Sequence, residues 1–243
     1  MEENYFTKRD EDNILKIREI RKGLPAFCGE FFRGIEQYTT PLTRLGYARD
    51  IKLFFDFLVN ETEEFYQKPI LQFDAEDLNK VTSTHVEMFL EYISLYKVNG
   101  KTYKNGEKAR CRKLSSIRAL FKYFYKKDVV KSNIASKIDT PKVHEDQIIR
   151  LEMDEVGKVL DLAENGQDMT KMQQGFHKHT QARDYAMLSL FLGTGIRISE
   201  CVGLNLDDFD FKQNAFKVTR KGGNRVILYF NEEVSDALQN YIL

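Results

Sequence analysis

Apolar residues recur at helical spacing in the first half of the chain. Thr40 followed by Pro41 is a helix-start signal, and the segment after it alternates between apolar and polar residues with a period of three to four. The apolar positions of this predicted helix are Leu45, Ala48, Ile51, Phe54, Phe55 and Leu58. A second helix is predicted over 82–96, and its inward positions are Val86, Phe89, Leu90 and Ile93. The pattern indicates amphipathic helices around a shared core.

A third helix is predicted after a Gly- and Asn-rich stretch at 98–108, which we expect to be a loop. Its apolar stripe consists of Cys111, Leu114, Ile117, Leu120, Phe121 and Phe124. Basic residues fall mostly off that stripe, so this helix is expected to display positive charge. Periodicity then weakens, and Pro141 interrupts the chain within a predicted linker over 138–150.

The second half combines helices with two strand-like segments. We expect a helix at 151–163, a polar loop at 165–181, a buried helix at 182–195 and another helix from 198. The segments 215–219 and 225–230 are rich in β-forming residues and flank a Gly-containing turn, which predicts a hairpin. Asn231 is a suitable N-cap for a final helix.

These elements predict a mainly α fold with a small β-hairpin or sheet. A chain of 243 residues can bury two cores. We divide it into a charged N-terminal extension (1–22), a helical domain (23–140), a linker (141–150) and a mixed α/β domain (151–243).

Composition excludes several classes of protein. The sequence has no apolar run long enough for a membrane span, and its charged start lacks the apolar core of a signal peptide. Three scattered cysteines show neither zinc nor disulfide spacing, which favours a reducing cytoplasm. His177 and His179 form an H-x-H pair without nearby ligands, so we expect a solvated loop and no metal there.

Net charge is zero, but the charges are segregated. The segment 97–142 contains 14 Lys and Arg residues and three acidic residues, so the rest of the chain is correspondingly acidic. A local excess of this size favours a surface that faces a polyanion. The alternative from charge alone is a solvated helix face.

The segments of the second half resemble tyrosine recombinases, the phage integrase family. The resemblance rests on the apolar helix followed by "GTGIRISE" (193–200), on "LNLDDFD", and on the hairpin "KVTRKGGNRVILYF". Upstream, "LTRLGYARDIKLFFDFL" and "RKLSSIRALFKYFYKK" are similar to the helical, SAM-like core-binding domain of that family. The resemblance covers about residues 25–243 and favours an Xer-like or transposon-type enzyme.

The resemblance implies a site-specific DNA recombinase. Such enzymes attack a phosphodiester with a Tyr hydroxyl, form a 3′-phosphotyrosine and use no cofactor or metal. Arg197 occupies the position of the first catalytic arginine, and Lys221 that of the hairpin lysine that protonates the leaving 5′-oxygen. An arginine suits this role because its planar fork donates two hydrogen bonds to phosphate oxygens. Two alternatives stay open: Arg197 pairs only with Glu200, and Arg220 takes the place of Lys221.

Double-stranded DNA is the implied partner. Six phosphate contacts from the basic helix would give a log–log salt slope of roughly −5. The candidate DNA-binding residues are Lys108, Arg110, Arg112, Lys113, Arg118 and Lys122 in that helix, and Arg220 and Arg225 in the hairpin.

The family also carries a His-x-x-Arg element and a nucleophilic Tyr after the hairpin, and neither is found in these 243 residues. We therefore expect a truncated chain that binds DNA as a monomer and is inactive by itself, whereas the full-length protein forms a tetramer on DNA. The alternatives are a natural, non-catalytic competitor for recombination sites, and a helical module whose basic helix binds protein or RNA.

Overall fold

The computed structural model describes residues 5–98, 100–144, 147, 149–220 and 223–242. The chain divides into two compact units, Phe6–Asp146 and Gln147–Leu243. Both are mostly helical, and each contains a small antiparallel sheet, which confirms the predicted fold class. The division lies inside the segment 141–150 that the sequence predicts as a linker.

The first unit is a helical bundle with one hairpin. Its helices are α1 (Tyr5–Arg21), α2 (Cys28–Gly34), α3 (Pro41–Glu61), α4 (Ala75–Lys80), α5 (Ser83–Tyr92) and α6 (Glu107–Lys126). Short 3-10 turns lie at Glu36–Tyr38, Ile70–Gln72 and Ile134–Lys137. Its strands are β1 (Leu95–Val98) and β2 (Lys101–Lys104).

The core of the first unit is rich in aromatic side chains because the apolar stripes of α3, α5 and α6 converge. The predicted start of α3 is confirmed: Thr40 Oγ1 accepts a hydrogen bond from the Thr43 N–H, and Pro41 is the first helical residue. Ile17 of α1 is also buried, so the predicted N-terminal extension contributes to this core. The largest fully buried rings are Phe31, Phe54, Phe55, Phe65, Phe89, Phe121 and Phe124.

The predicted loop at 98–108 is wrong. Strands β1 and β2 pair as an antiparallel hairpin, with Tyr96 opposite Tyr103 and Lys97 opposite Thr102. Gly100 in the turn has φ of +75°, a conformation that favours glycine. This hairpin leads directly into α6.

The second unit packs helices on a three-stranded sheet. Its helices are α7 (Met153–Asn165), α8 (Lys171–Thr194), α9 (Ile198–Cys201) and α10 (Glu232–Ile242), with a 3-10 turn at Leu206–Asp208. Its strands are β3 (Phe209–Asp210), β4 (Ala215–Thr219) and β5 (Arg225–Tyr229), in the order β3-β4-β5. The predicted hairpin is confirmed, with Thr219 opposite Arg225 next to its turn.

Helix α8 departs from its prediction in two ways. It begins at Lys171 after the Thr170 N-cap, so His177 and His179 lie in a helix and not in the predicted loop. It is also not buried all round, because Ala186 and Leu190 face the core while Met187 and Leu192 are exposed. The following helix, α9, has a single turn, and Ile198 at its start is exposed.

Helices α8 and α10 pack closely at Gly193. A Cβ atom at Gly193 would lie 2.7 Å from Val234 Cγ2, so a larger residue here would force the Val234 side chain to move. Asn231 caps α10 as predicted, accepting a hydrogen bond from the Val234 N–H at 3.0 Å. In the described part of the chain, no helix is both long and apolar enough to cross a bilayer.

Candidate nucleic-acid interface

A sharp turn at the end of α8 positions Arg197. Gly195 caps the helix in the left-handed conformation, with φ of +64°, and its N–H donates to Phe191 O at 2.9 Å. Thr194 Oγ1 donates to Leu190 O at 2.6 Å and accepts from the Ile196 N–H at 3.3 Å. Because these bonds fix the turn, Arg197 has a defined position at the N-terminus of α9.

Glu200 holds Arg197 through both its backbone and its side chain. The Arg197 N–H donates to Glu200 Oε2 at 3.1 Å, and Arg197 Nη1 donates to Glu200 Oε1 at 2.9 Å. The Glu200 side chain is 6% exposed, whereas that of Arg197 is 67% exposed. The pairing that the alternative interpretation proposed is therefore present, and it leaves most of the guanidinium open to solvent.

A second arginine, Arg220, affects the pKa of Glu200. Burial acts to raise the pKa of Glu200, but the hydrogen bonds from Arg197 and the positive charges of Arg197 and Arg220 together lower it below its usual value. Arg220 follows β4 and is exposed. Arg197 therefore pairs directly with the Glu200 carboxylate, and Arg220 adds positive charge near it.

The hairpin turn keeps Arg220 in place. The Arg220 N–H donates to Asn224 O at 2.8 Å, and the Gly223 N–H donates to Arg220 O at 3.0 Å. Arg225 opens β5 and is exposed. Lys221 lies outside the described residues, so the assignment of the hairpin-lysine role to Lys221 or to Arg220 stays a prediction.

Four of the candidate residues in α6 differ in their solvent exposure. Lys108 and Lys122 are exposed, and Arg110 is half-buried, with no hydrogen-bond partner for its Nε among the described residues. Arg112 is 53% exposed and forms a bidentate pair with Asp50, with N–O distances of 2.6 and 2.8 Å. The positive charges at these four positions therefore differ in how accessible they are to a ligand.

Two other candidates point inward, contrary to the predicted outward positions. The Lys113 side chain is 11% exposed, and its Nζ lies 3.8 Å from Asp50 Oδ1. Burial lowers the pKa of Lys113, and the negative charge of Asp50 counteracts part of that effect. Arg118 donates to the backbone oxygens of Ala135 and Ile138 and, at 2.9 Å, to Thr140 Oγ1. Both side chains therefore stabilise the first unit.

The segment after α6 is held along that helix by further bonds. Cys111 Sγ donates to Pro141 O at 3.3 Å, and Glu107 accepts from the His144 N–H at 2.8 Å. This backbone bond, together with the His144 ring, lowers the pKa of Glu107. Part of the predicted linker is therefore fixed to α6.

Sequence reasoning missed Asp50 as an organising residue. Its side chain is 3% exposed and accepts from Arg112 and, at 2.6 Å, from Ser116 Oγ. The available signal was its spacing: Asp50 lies four residues before the buried Phe54, on the inward side of α3. Within the described residues, no group of three or more His, Cys, Asp or Glu side chains is arranged to hold a metal ion.

The chain is similar in sequence and in fold to known proteins. Residues 150–243 match the profile of the phage integrase family. The chain is 29% identical over 245 residues to tyrosine recombinase XerC of Caldanaerobacter subterraneus subsp. tengcongensis, an alignment that covers 98% of this chain and 63% of that protein. It is 28% identical to tyrosine recombinase XerS of Streptococcus thermophilus, with 93% of this chain and 69% of that protein covered.

A solved structure shares the fold. The integrase of transposon Tn1549, in complex with a circular intermediate DNA, superposes with a TM-score of 0.55 and 21% identity over 88% of this chain and 64% of that one. The chain therefore spans somewhat under two thirds of the length of this integrase and of the XerC relative. The chain is therefore similar to tyrosine recombinases, and its residues 150–243 match the model of the phage integrase family.

Proposed function

We propose that this chain supplies the DNA-binding unit and the first active-site arginine of a site-specific recombinase that cleaves and rejoins DNA through a 3′-phosphotyrosine. The Xer relatives and the DNA complex of the Tn1549 integrase support this function. The observation that carries it is Arg197, an exposed guanidinium on a rigid turn, oriented by the buried Glu200.

The chemistry requires positive charge at the scissile phosphate. As a Tyr oxygen attacks phosphorus, negative charge grows on the non-bridging oxygens, and preorganised cations stabilise that charge most effectively. Arg197 contacts one of these oxygens, and Arg220 adds charge from the hairpin. The Tyr hydroxyl gives its proton to a general base as its oxygen bonds to phosphorus. The bond from phosphorus to the 5′-oxygen breaks, and that oxygen takes a proton from Lys221. Glu200 touches neither substrate nor reacting atoms and acts as a positioning residue.

Residues 1–243 by themselves are proposed to bind DNA without cutting it. The His-x-x-Arg element of the family is not found in this sequence, so the set of groups that activates the nucleophile is incomplete. Binding requires only the charged surface, since phosphate contacts supply most sequence-independent affinity. We propose that this chain is monomeric in solution and that the full-length protein forms a tetramer on DNA.

A binding assay tests the role of Arg197. We expect the chain to bind a labelled duplex carrying an inverted repeat, and Arg197→Ala to weaken binding about 5- to 10-fold, which corresponds to about one charge-assisted hydrogen bond. The matched control is Arg183→Ala, because Arg183 is also half-exposed in the second unit but pairs with the adjacent Asp184. Its effect should stay below about twofold.

Three results would each contradict a separate part of the proposal. Failure of the unmodified chain to bind any duplex removes the DNA-binding function. A covalent protein–DNA adduct on a denaturing gel would show that residues 1–243 cleave DNA unaided. If the Arg197→Ala and Arg183→Ala variants bind DNA with equal affinity, Arg197 does not contact the phosphate.

A further inference from the structure

The β1–β2 hairpin is a charged projection that contributes little to the core. Every residue of its two strands is exposed except the half-buried Tyr96. Leu95 and Tyr103 are 62% and 43% exposed, so the hairpin does not bury an apolar face of its own. A folded element that buries so little is expected to have a role other than stabilising the core.

The hairpin carries positive charge without compensation. Lys97, Lys101 and Lys104 are exposed, and the sequence contains no acidic residue between Glu91 and Glu107. None of the three lysines contacts a carboxylate within the described residues. These positions therefore form a lysine patch that no described group of the unit neutralises.

The strand register places two of these charges on one face. Lys97 is opposite Thr102, and Lys104 is opposite Leu95, so Lys97 and Lys104 are diagonal neighbours. Diagonal residues of an antiparallel pair lie about 7–8 Å apart, and like charges on a shared face destabilise it. Lys101 lies next to the turn. An external polyanion would relieve this repulsion.

A row of three tyrosine rings in contact fixes the hairpin to α5. Tyr92 of α5 packs against Tyr96 at 5.5 Å between ring centroids, and Tyr96 stacks on Tyr103 at 5.3 Å. At the base, Asn105 Nδ2 donates to Ile93 O at 2.7 Å, and the Asn105 N–H donates to Ser94 O at 3.1 Å. These contacts hold the lysine face in one orientation, which lowers the entropic cost of binding.

We propose that the hairpin 95–104 is a second DNA-backbone contact of the first unit, in which Lys97, Lys101 and Lys104 bind phosphates of double-stranded DNA next to the surface bound by α6. A lysine ammonium serves as a point charge for phosphate and does not read bases, so this contact strengthens binding without selecting a sequence. The inference rests on the proposed DNA-binding function, because the hairpin belongs to the same basic segment of the chain as α6, with two residues between Lys104 and Glu107.

Salt dependence of binding tests the inference. The triple variant Lys97→Gln, Lys101→Gln, Lys104→Gln is compared with the unmodified chain by fluorescence anisotropy on a labelled duplex at several salt concentrations. We expect the magnitude of the log–log slope to fall by roughly 0.9 for each phosphate that the variant no longer binds, so by about 2 to 3 in total. Replacing the three residues by arginine should restore the slope.

A matched variant controls for net charge. Lys8→Gln, Lys16→Gln, Lys22→Gln removes the same charge from exposed positions in and just after α1 in the same unit and should leave the slope within about 0.5 of the original. Far-UV circular dichroism of each variant checks that the unit is folded. The substituted side chains are exposed, so loss of structure is not expected.

The outcomes separate this inference from the proposed function. If the unmodified chain does not bind the duplex, the proposed function fails first. If it binds and the hairpin variant keeps the full slope while Lys122→Gln lowers it, the hairpin inference is overturned and the function stands. A hairpin variant that binds DNA normally as a single copy but loses cooperative binding of a second copy would assign the hairpin to a protein contact and also overturn it.

Discussion

Arg112 of α6 donates two hydrogen bonds to Asp50 of α3, at 2.6 and 2.8 Å, although the residues are 62 positions apart. The same carboxylate accepts from Ser116 Oγ and lies near Lys113 Nζ. One buried acid therefore organises three polar residues of the helix that carries most of the candidate DNA contacts. Part of the charge of this helix maintains its packing, and the rest is available for a ligand.

Removal of the Asp50 carboxylate should destabilise the first unit. Asp50→Ala leaves the buried Lys113 charge without its partner and leaves Ser116 Oγ with only its long bond to Arg112 O, and breaking a buried pair costs up to about 3–5 kcal/mol. Because Arg112 is half-exposed and can rehydrate, we expect a loss of about 2–4 kcal/mol. Urea unfolding monitored by far-UV circular dichroism measures it, and hydrogen exchange assigns the transition to this unit.

Asp56→Ala is the control for that experiment. Asp56 pairs with Lys52 on the exposed side of the same helix, and its side chain is 42% exposed. The expected change is within about 0.5 kcal/mol, as for other surface helix pairs. Equal losses for the two variants would contradict the organising role of Asp50.

Arg118 and Lys122 should separate stability from DNA binding. Arg118→Ala removes hydrogen bonds to Ala135 O, Ile138 O and Thr140 Oγ1, and we expect a loss of about 1.5–3 kcal/mol in stability. Lys122→Ala should leave stability within about 0.5 kcal/mol and lower the salt slope of DNA binding by roughly 0.9. If Arg118→Ala is folded and its salt slope of DNA binding is lower than that of the unmodified chain, Arg118 contacts DNA.

Because Gly193 contacts Val234, the loss of stability caused by Gly193→Ala should depend on the size of the side chain at position 234. A Cβ at Gly193 would lie 2.7 Å from Val234 Cγ2, so Gly193→Ala should destabilise the second unit by about 1–3 kcal/mol. Val234→Ala removes the clashing methyl groups and itself leaves a cavity. In a double-mutant cycle, the double variant should therefore lose less stability than the sum of the two single losses. The difference in the free energy of unfolding should be at least about 0.5 kcal/mol. Additive effects would contradict this contact.

The lowered pKa of Glu200 predicts acid sensitivity in the second unit. Because the folded state holds this pKa below its usual value of 4.5, the stabilisation is complete above that pH and is lost as the pH falls through the folded-state pKa. Glu200→Gln should therefore lower stability at pH 7 and flatten the pH dependence below pH 4.5. Urea unfolding at about pH 7 and about pH 4 measures both effects.

An exposed acid provides the comparison for Glu200. Asp236→Asn changes a carboxylate on the exposed side of α10 and should leave the stability difference between the two pH values unaltered. If Glu200→Gln retains the full pH dependence, the Arg197–Glu200 pair does not stabilise the folded state in the proposed way.

The local chemistry of the sequence predicted the elements whose signals lie within a few residues. The Thr40–Pro41 start of α3, the Asn231 cap and the 215–229 hairpin depend on neighbouring residues and turn geometry, and the structure confirms each of them. The Asn99-Gly100 dipeptide is also a strong hairpin signal, but the polar residues around it are equally typical of a loop.

The roles of the basic residues were decided by tertiary structure. Helical periodicity indicates which side of α6 is apolar, but it does not indicate that Asp50 will meet Arg112 and Lys113 from a distant helix. The same limit applies to Arg118, whose acceptors lie 17 to 22 positions away. Sequence by itself determined helices α3, α5, α6, α7 and α10, the β4–β5 hairpin and the excess of charge, because these depend on composition and near neighbours. Only the tertiary structure decided which charges are neutralised inside the protein, because pairing depends on distances between segments that the chain order does not encode locally.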